Sequence, residues 1–122
     1  MATSIEFDIP VVIALVNNGW YGIVKEWQKM FYGKRYIATN LGNSTDFVKL
    51  AESFGGKGVR VGKRSEINSA VKQGLESDKL FLVDIIASPD GSGIPLVPPL
   101  GKNTEMLLAK QCPFVGKNYF TK

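Results

Sequence analysis

Apolar residues follow two different spacings along this chain, and the two spacings alternate. Residues 10–16 and 80–86 are almost continuously apolar and rich in β-branched side chains, which is typical of parallel strands covered on both faces. A shorter run at 58–61 predicts another strand. Between these runs, apolar residues recur at the spacing of amphipathic helices.

The first predicted helix follows the strand at 10–16 and ends near Gly33. Its apolar positions are Ile23, Trp27, Met30 and Phe31, and its polar positions are Lys25, Glu26, Gln28 and Lys29. We expect the apolar set to be buried and the polar set to lie on the opposite face.

Two further helices complete the predicted pattern. One covers about 47–54 and takes Ser44 or Thr45 as its cap, and the other begins with Ser65 as its cap and extends to Leu75. Strands that alternate with helices in this way predict right-handed crossovers. The expected fold is therefore α/β, a parallel sheet flanked by helices.

Composition limits the chemistry. The chain has 122 residues, of which 44% are hydrophobic, and these values match one globular domain. There is no histidine, and Cys112 is the only cysteine. Nucleophile systems that need histidine, and zinc sites built from Cys and His, are therefore excluded within this chain. Oxygen-ligated Mg²⁺ or Ca²⁺ remains open.

The net charge of +4 comes from scattered basic residues. Only Lys34 and Arg35, between Tyr32 and Tyr36, mix cations with aromatics as single-strand nucleic-acid binders do. Ordinary side chains at a helix end are the favoured interpretation, so we expect no nucleic-acid partner. Without a long apolar segment or a secretory signal, the sequence predicts a soluble, cytoplasmic protein with no membrane contact.

Candidate chemistry lies where the strands end, since ligands of open parallel sheets bind beyond the carboxyl ends of the strands. Residues 17–22 read Asn-Asn-Gly-Trp-Tyr-Gly, which offers a metal an amide oxygen and a main-chain carbonyl, and offers a phosphate the N–H groups of a helix start. An ordinary strand-to-helix turn explains the same residues. Asp84 could be a general base, but a sheet-end Asp bonded to a neighbouring turn is the favoured interpretation.

Several segments carry a resemblance to a known family. They are 9–12, 16–18, 21–28 and 31–32, then 46–52 with Gly55, and finally 94–99 with 105–107. Together they resemble the carboxy-terminal, diphosphate-binding domain of thiamine-diphosphate enzymes, and most of all the acetolactate synthase (acetohydroxyacid synthase) large subunit. The resemblance extends to about residue 108, which makes 1–108 a partial thiamine-diphosphate domain and 109–122 a carboxy-terminal tail.

The resemblance implies roles for five residues. Asn18 would bind Mg²⁺ through its side chain, and Trp20 would bind the same ion through its backbone carbonyl. Gly22 and Ile23 would lie beside the diphosphate of the cofactor. Trp27 would face the substrate channel, although its place on the apolar stripe fits a core residue equally well.

Parts of the family pattern are missing. The Gly-Asp-Gly that opens the metal motif does not precede Asn17, and neither the pyrimidine-binding domain nor its cofactor-activating glutamate is present. We therefore expect the chain to start mid-domain, and residues 3–7 resemble the end of the helix that follows the missing motif. We expect half of a thiamine-diphosphate and Mg²⁺ site, inactive alone, with one side of the first strand unpaired.

The resemblance implies a part of an enzyme that decarboxylates pyruvate and joins the product to a second 2-oxo acid, in branched-chain amino acid biosynthesis. The expected partner is another copy, as in a dimer, or a complementary thiamine-diphosphate enzyme chain. Two alternatives stay open. One is a non-catalytic assembly or binding module, and the other is a fragment of another carboligase or decarboxylase, such as glyoxylate carboligase or sulfopyruvate decarboxylase.

Overall fold

A computed structural model describes residues 1–42, 44–90, 95–98 and 100–108. The helices are α1 (Ala2–Glu6), α2 (Gly22–Phe31), α3 (Phe47–Ser53) and α4 (Ile67–Leu75), and the strands are β1 (Val12–Asn17), β2 (Lys57–Val61) and β3 (Phe81–Ile86). Short 3₁₀ turns cover Arg64–Glu66 and Asn103–Glu105. In these ranges no helix has both the length and the apolar character needed to cross a membrane.

The three strands form one parallel sheet in the order β1-β3-β2. In its register, Leu15 of β1 and Arg60 of β2 both lie opposite Asp84 of β3. Helices connect strands that run in the same direction, which confirms the predicted α/β fold with a parallel sheet flanked by helices.

The chain divides into two compact units. The first combines Met1–Trp20 with Asn40–Pro89 and contains the whole sheet, α1, α3 and α4. The second contains α2, the segment up to Thr39, and the described residues from Asp90 onward. This division does not test the predicted boundary at residue 108, and the predicted tail at 109–122 lies outside the described residues.

The central strand β3 is the core of the first unit because neighbours cover it on both faces. Its residues Phe81 to Asp84 are all buried. On one face Phe81 and Val83 pack with Val61 and with Ala70 of α4. Alternation along a strand places Leu82 and Asp84 on the opposite face.

The opposite face of the sheet is covered by α3. A Cβ built on Gly58 would lie 3.2 Å from the side chain of Val48 in α3, so the helix approaches the strand closely at this glycine. Gly58 is in register with Leu82, whose side chain therefore shares the α3 face with Asp84. The two helices on opposite faces are what a doubly wound sheet requires.

Helix caps differ from the sequence expectation. The N-cap of α3 is Asp46, whose side chain accepts a bond from the backbone N–H of Lys49, so the prediction of Ser44 or Thr45 was wrong. Ser65 is not the cap of α4 either, because it lies inside the 3₁₀ turn that precedes the helix. Helix α3 begins at Phe47, so Asp46 directly precedes it, whereas Ser44 and Thr45 lie further from its first N–H groups.

Strand β1 is less covered than its apolar sequence predicts. It occupies one edge of the sheet described here, and Val16 is 68% exposed. The expectation of cover on both faces was wrong within the described ranges, because α4 packs over only the start of the strand, where Val12 lies against Gly74. The predicted unpaired side of the first strand is present in this sheet.

Helix α2, in the second unit, reverses the predicted burial. Lys25 is 7% exposed and Glu26 8%, whereas Ile23 and Trp27 of the apolar stripe are exposed. Lys25 Nζ lies 3.1 Å from Asp90 Oδ1, so this ammonium is buried with a partner. The predicted helical period was correct and Met30 is buried as expected, but the buried face was predicted wrongly at the four positions above.

The segment that follows α2 is fastened to the helix by Gln28. Its side chain donates to the carbonyl of Ile37 and accepts from the backbone N–H of Ile37 and the hydroxyl of Thr39. Further along, a two-residue antiparallel bridge joins Leu96 and Leu107. Helix α2 itself ends at Phe31, slightly before the predicted Gly33.

Gly56 provides a stability test of the fold. A Cβ built there would lie 2.8 Å from the carbonyl oxygen of Leu80, at the point where that oxygen accepts from Lys57. We expect Gly56→Ala to lower the free energy of unfolding by about 1–3 kcal/mol, because the ends of β2 and β3 must separate. Urea unfolding measures this. Gly62→Ala is the matched control, since open space surrounds Gly62, and an equal loss in both variants would contradict the close approach.

Candidate functional site

The carboxyl end of β1 continues into a tight turn formed by the paired asparagines. Asn17 Oδ1 accepts a bond of 3.1 Å from the backbone N–H of Gly19, and Gly19 has a φ of 67°, a conformation that favours glycine. Asn17 is also the last residue of the strand, where its carbonyl accepts from the N–H of Ala87. The turn is therefore anchored directly to the sheet.

Asn18 and Trp20 are brought together in this turn. Asn18 Oδ1 accepts a bond of 3.0 Å from the backbone N–H of Trp20, and both residues are partly exposed. An antiparallel bridge pairs Trp20 with Asn40. In it, the carbonyl of Gly19 accepts a bond from the backbone N–H of Leu41. This turn is the local strand-to-helix geometry that was expected, and it also clusters two oxygen-bearing groups of one short segment.

Asp84 is bonded to this turn, as expected for an aspartate at a sheet end. Asn17 Nδ2 donates to Asp84 Oδ1 at 3.0 Å, and Arg60 Nε donates to Asp84 Oδ2 at 2.9 Å. Asp84 is fully buried, so each carboxylate oxygen has its partner without contact to solvent. A buried carboxylate in such a position acts as a fixed acceptor for its neighbours.

Arg60 links Asp84 to the cap of α3. A second nitrogen of its guanidinium lies 3.1 Å from Asp46 Oδ1. The pKa of Asp46 is lowered from its ordinary value, first by the N–H bond from Lys49 and then by the charge of Arg60. The bond to Asp84, followed by the charge of Asp46, raises the pKa of Arg60.

Sequence reasoning missed Arg60 and Asp46. A signal for Arg60 was available, because a charged residue in the middle of a short apolar strand needs a partner of opposite charge. Its register partner became visible only with the strand order, since a sequence does not reveal which strands are neighbours. Asp46 is also a residue type that commonly caps helices, but Ser44 and Thr45, which lie just before it, were predicted as the cap instead.

The remaining predicted residues lie on α2, in the second unit. Gly22 is the first residue of this ten-residue helix, and Ile23 follows it with an exposed side chain. The first N–H groups of a helix lack partners within it, so they are available to an anion. Trp27 is 42% exposed, which makes the core interpretation wrong and leaves the substrate-channel role as a prediction.

The donor set at the turn fits a magnesium ion as part of a larger site. Amide and main-chain carbonyl oxygens are hard ligands of the kind that Mg²⁺ takes up beside phosphate oxygens and water. In the part of the chain that the structure describes, no group of three or more His, Cys, Asp or Glu residues could hold a metal. The turn therefore suits an ion whose other ligands come from outside this segment.

The sequence matches a model of a known protein family. The family described as "Thiamine pyrophosphate enzyme, C-terminal TPP binding domain" matches residues 1–85. That range contains the asparagine turn, α2 and the whole sheet except Ile86, the last residue of β3.

Two curated archaeal proteins, each called "Probable acetolactate synthase large subunit", are similar to this chain. The one from Methanococcus aeolicus is 41% identical over 111 residues, and the one from Methanocaldococcus jannaschii is 42% identical over 107 residues. The matches cover 91% and 88% of this chain but only 18% of each relative. The chain thus spans about a fifth of the length of these relatives.

Among solved structures, the thiamine diphosphate-dependent 4-hydroxybenzoylformate decarboxylase of Rhodococcus jostii RHA1 is similar. It superposes with a TM-score of 0.65 at 29% identity, covering 71% of this chain and 16% of the decarboxylase. Its similarity covers a segment, as with the curated relatives.

The exposure of α2 predicts unequal effects of two substitutions on one helix. Met30 is 4% exposed, so Met30→Ala should lower the free energy of unfolding by about 2–5 kcal/mol. Trp27→Ala should lower it by no more than about 1 kcal/mol, because 42% of the residue is already exposed to water. Thermal and urea unfolding followed by circular dichroism measure both. A loss at Trp27 as large as that at Met30 would show a buried indole.

The double contact of Arg60 predicts a pKa change at Asp46. In Arg60→Lys, the single ammonium should remain with the buried Asp84. The pKa of Asp46 should therefore rise but stay below its ordinary value of 3.8, because the bond from Lys49 persists. Carboxyl NMR titration measures this.

The matched control is Lys57→Gln, which removes only a surface pair with Asp78. In the wild type, the stabilisation of the fold by ionised Asp46 is complete above pH 3.8. It is lost as the pH falls through the lowered pKa of Asp46. An unchanged pKa in Arg60→Lys would contradict the role of Arg60.

Proposed function

Because the chain belongs to the family of thiamine pyrophosphate enzymes, as their C-terminal TPP-binding domain, we propose that it supplies one half of a thiamine diphosphate and Mg²⁺ site in an acetolactate synthase. The observation that carries the proposal is the asparagine turn at the carboxyl end of β1, with Asn18 Oδ1 bonded at 3.0 Å to the backbone of Trp20. Parallel sheets bind their ligands at this end of the strands.

In the proposed site, Asn18 and Trp20 provide two oxygens to Mg²⁺. Asn18 uses its side-chain oxygen, which has a second lone pair beside the one that accepts from Trp20. Trp20 uses its main-chain carbonyl, so the identity of its side chain does not matter for the metal. The preference of Mg²⁺ for six oxygens leaves the remaining positions to the diphosphate, to water and to residues outside this chain.

Gly22 and Ile23 are proposed to bind the diphosphate through the first N–H groups of α2. The absent side chain of Gly22 permits a close approach of phosphate to the backbone. The positive end of a ten-residue helix adds a favourable field for the anion. This role depends on the backbone, and the exposed side chain of Ile23 remains available for contacts with substrate or with another chain.

The proposed reaction is the decarboxylation of pyruvate and the joining of its two-carbon product to a second 2-oxo acid, in branched-chain amino acid biosynthesis. Bound thiamine diphosphate supplies the reactive carbon and the electron sink. This chain's share is to hold the metal and the diphosphate in place. Trp27 is proposed to shape the pocket of the second 2-oxo acid, and its exposed indole suits that role.

The proposed activity needs the rest of a thiamine pyrophosphate enzyme, either in the same polypeptide or in a cytoplasmic partner chain. Strand β1 lies at a sheet edge with Val16 exposed, so it offers unpaired backbone groups to a further strand. A second copy of the chain, as in a dimer, or a complementary thiamine-diphosphate enzyme chain would both use that edge.

A second candidate is a different thiamine-diphosphate activity, such as a simple decarboxylation. The similarity to a thiamine diphosphate-dependent 4-hydroxybenzoylformate decarboxylase supports it. The two functions differ in product, because decarboxylation alone releases an aldehyde from pyruvate, whereas carboligation yields acetolactate. Product analysis therefore separates them.

The test replaces the corresponding segment of the Methanocaldococcus jannaschii protein with this chain. We expect the chimera to form acetolactate from pyruvate in the presence of thiamine diphosphate and Mg²⁺. Asn18→Ala in the chimera should lower the activity by about tenfold or more and raise the Mg²⁺ concentration for half-saturation, because one metal ligand is lost.

Asn68→Ala is the matched control for this substitution. It removes the same amide from an exposed position on α4 and should leave activity and Mg²⁺ dependence unchanged. Aldehyde as the sole product would favour the second candidate. A folded chimera that binds its neighbouring domains but neither cofactor nor metal would favour a non-catalytic assembly module instead.

A further inference from the structure

The buried carboxylate of Asp84 holds Asn17, the residue on which the turn of Asn18 and Trp20 is built. Asn17 Nδ2 donates to Asp84 Oδ1, while the other end of the same amide, Asn17 Oδ1, accepts from Gly19. The two bonds use opposite ends of one planar group. The orientation that satisfies the first bond therefore sets the second.

The chemistry of the carboxylate decides that orientation. An ionised carboxylate only accepts hydrogen bonds, so Asn17 must point its NH₂ group toward Asp84. Its carbonyl oxygen then points toward Gly19, whose N–H closes the turn at 3.1 Å. An amide in the reverse orientation would place NH₂ against N–H at Gly19 and lose this bond.

Arg60 makes a carboxylate tolerable at this buried position. Asp84 has no exposed surface, and a buried charge without a partner is strongly unfavourable. The guanidinium satisfies Asp84 Oδ2 at 2.9 Å. Since Arg60 also holds Asp46 at the start of α3, the chain of contacts runs from that helix across β2 and β3 to the turn.

We propose that Asp84 is a positioning residue that acts through Asn17 to fix the turn presenting Asn18 Oδ1. Its influence on metal binding rests on the proposed function, whereas its influence on the turn does not. Asp84 is thus neither a general base nor only a sheet contact. It determines the donor and acceptor pattern of the turn that follows the neighbouring strand β1.

The substitution Asp84→Asn separates this role from simple packing because it keeps the shape and changes only the hydrogen-bond pattern. The introduced amide has one acceptor, and we expect it to stay with the charged Arg60. Its NH₂ group then faces Asn17, whose amide must rotate to offer its oxygen. Gly19 loses its acceptor, and its amide proton should exchange with water about fivefold to tenfold faster in NMR measurements.

The double substitution Asn17→Asp with Asp84→Asn should restore the turn. The introduced amide at position 84 donates to the introduced carboxylate at position 17, which again accepts from Gly19. We expect exchange of the Gly19 amide to return to within about twofold of the wild-type rate. A purely structural loss of stability would not be repaired by this exchange of groups.

Two further variants complete the experiment. Asp78→Asn removes a carboxylate that forms only a surface pair with Lys57, and it should leave the Gly19 amide unchanged. Asn17→Ala keeps the Asp84–Arg60 pair and covers the case in which Asp84→Asn does not fold, and it should accelerate Gly19 exchange as strongly. Unchanged exchange at Gly19 in folded Asp84→Asn, or in Asn17→Ala, would overturn the proposal.

Metal binding is read separately, with MnCl₂ and thiamine diphosphate as the probe. In the chimera that carries the wild-type chain, Mn²⁺ should broaden the side-chain amide signals of Asn18, and the chimera with Asp84→Asn should require about tenfold more Mn²⁺ for the same broadening. Absence of broadening in the wild type would count against the proposed function while the Gly19 measurement still decides the role of Asp84. Equal broadening in wild type and Asp84→Asn would overturn the positioning role toward the metal.

Discussion

The first unit depends on one buried negative charge at the centre of its sheet. Asp84 occupies the middle strand, where Arg60 neutralises it from one neighbour and Asn17 bonds it from the other. These side-chain bonds join the three strands across the α3 face, in addition to the backbone ladder. A buried carboxylate is strongly unfavourable unless its partners are in place. A shift in the register of any strand would remove Arg60 or Asn17 from Asp84, so this one residue fixes the register of all three strands.

The same charge explains how the sheet prepares its carboxyl edge for binding. The apolar contacts on the α4 face stabilise the sheet but are not directional. The hydrogen bonds of Asp84 on the α3 face are directional, so they fix the positions of individual polar atoms. The strand that ends in the asparagine turn is therefore held by a side-chain bond as well as by its backbone ladder, even though it lies at an edge. For a loop that is proposed to hold an ion and a phosphate, preformed bonds of this kind reduce the ordering needed on binding.

Much of the fold was predictable from the sequence because it follows from local periodicity. The three strands, the helices and the parallel α/β arrangement were readable from apolar runs and helical spacings, and the residues at the end of the first strand located the asparagine turn. Burial was not readable where it depends on neighbours. Lys25 lies in the interior because Asp90, distant in sequence, offers it a partner, and Trp27 is exposed on the face that any local rule would bury. Arg60 acquired its meaning only from the strand order.

Asn17 and Trp20 stand three residues apart and carry opposite constraints. Asn17 must be a strand residue, a side-chain donor toward Asp84 and a side-chain acceptor for Gly19 at the same time. Aspartate would repel the carboxylate, serine is too short to reach both neighbours, and glutamine carries its amide one methylene too far. Trp20 enters the turn through its main chain. One motif therefore contains a position that depends on the chemistry of its side chain and, three residues later, a position whose bond in the turn is made by its backbone.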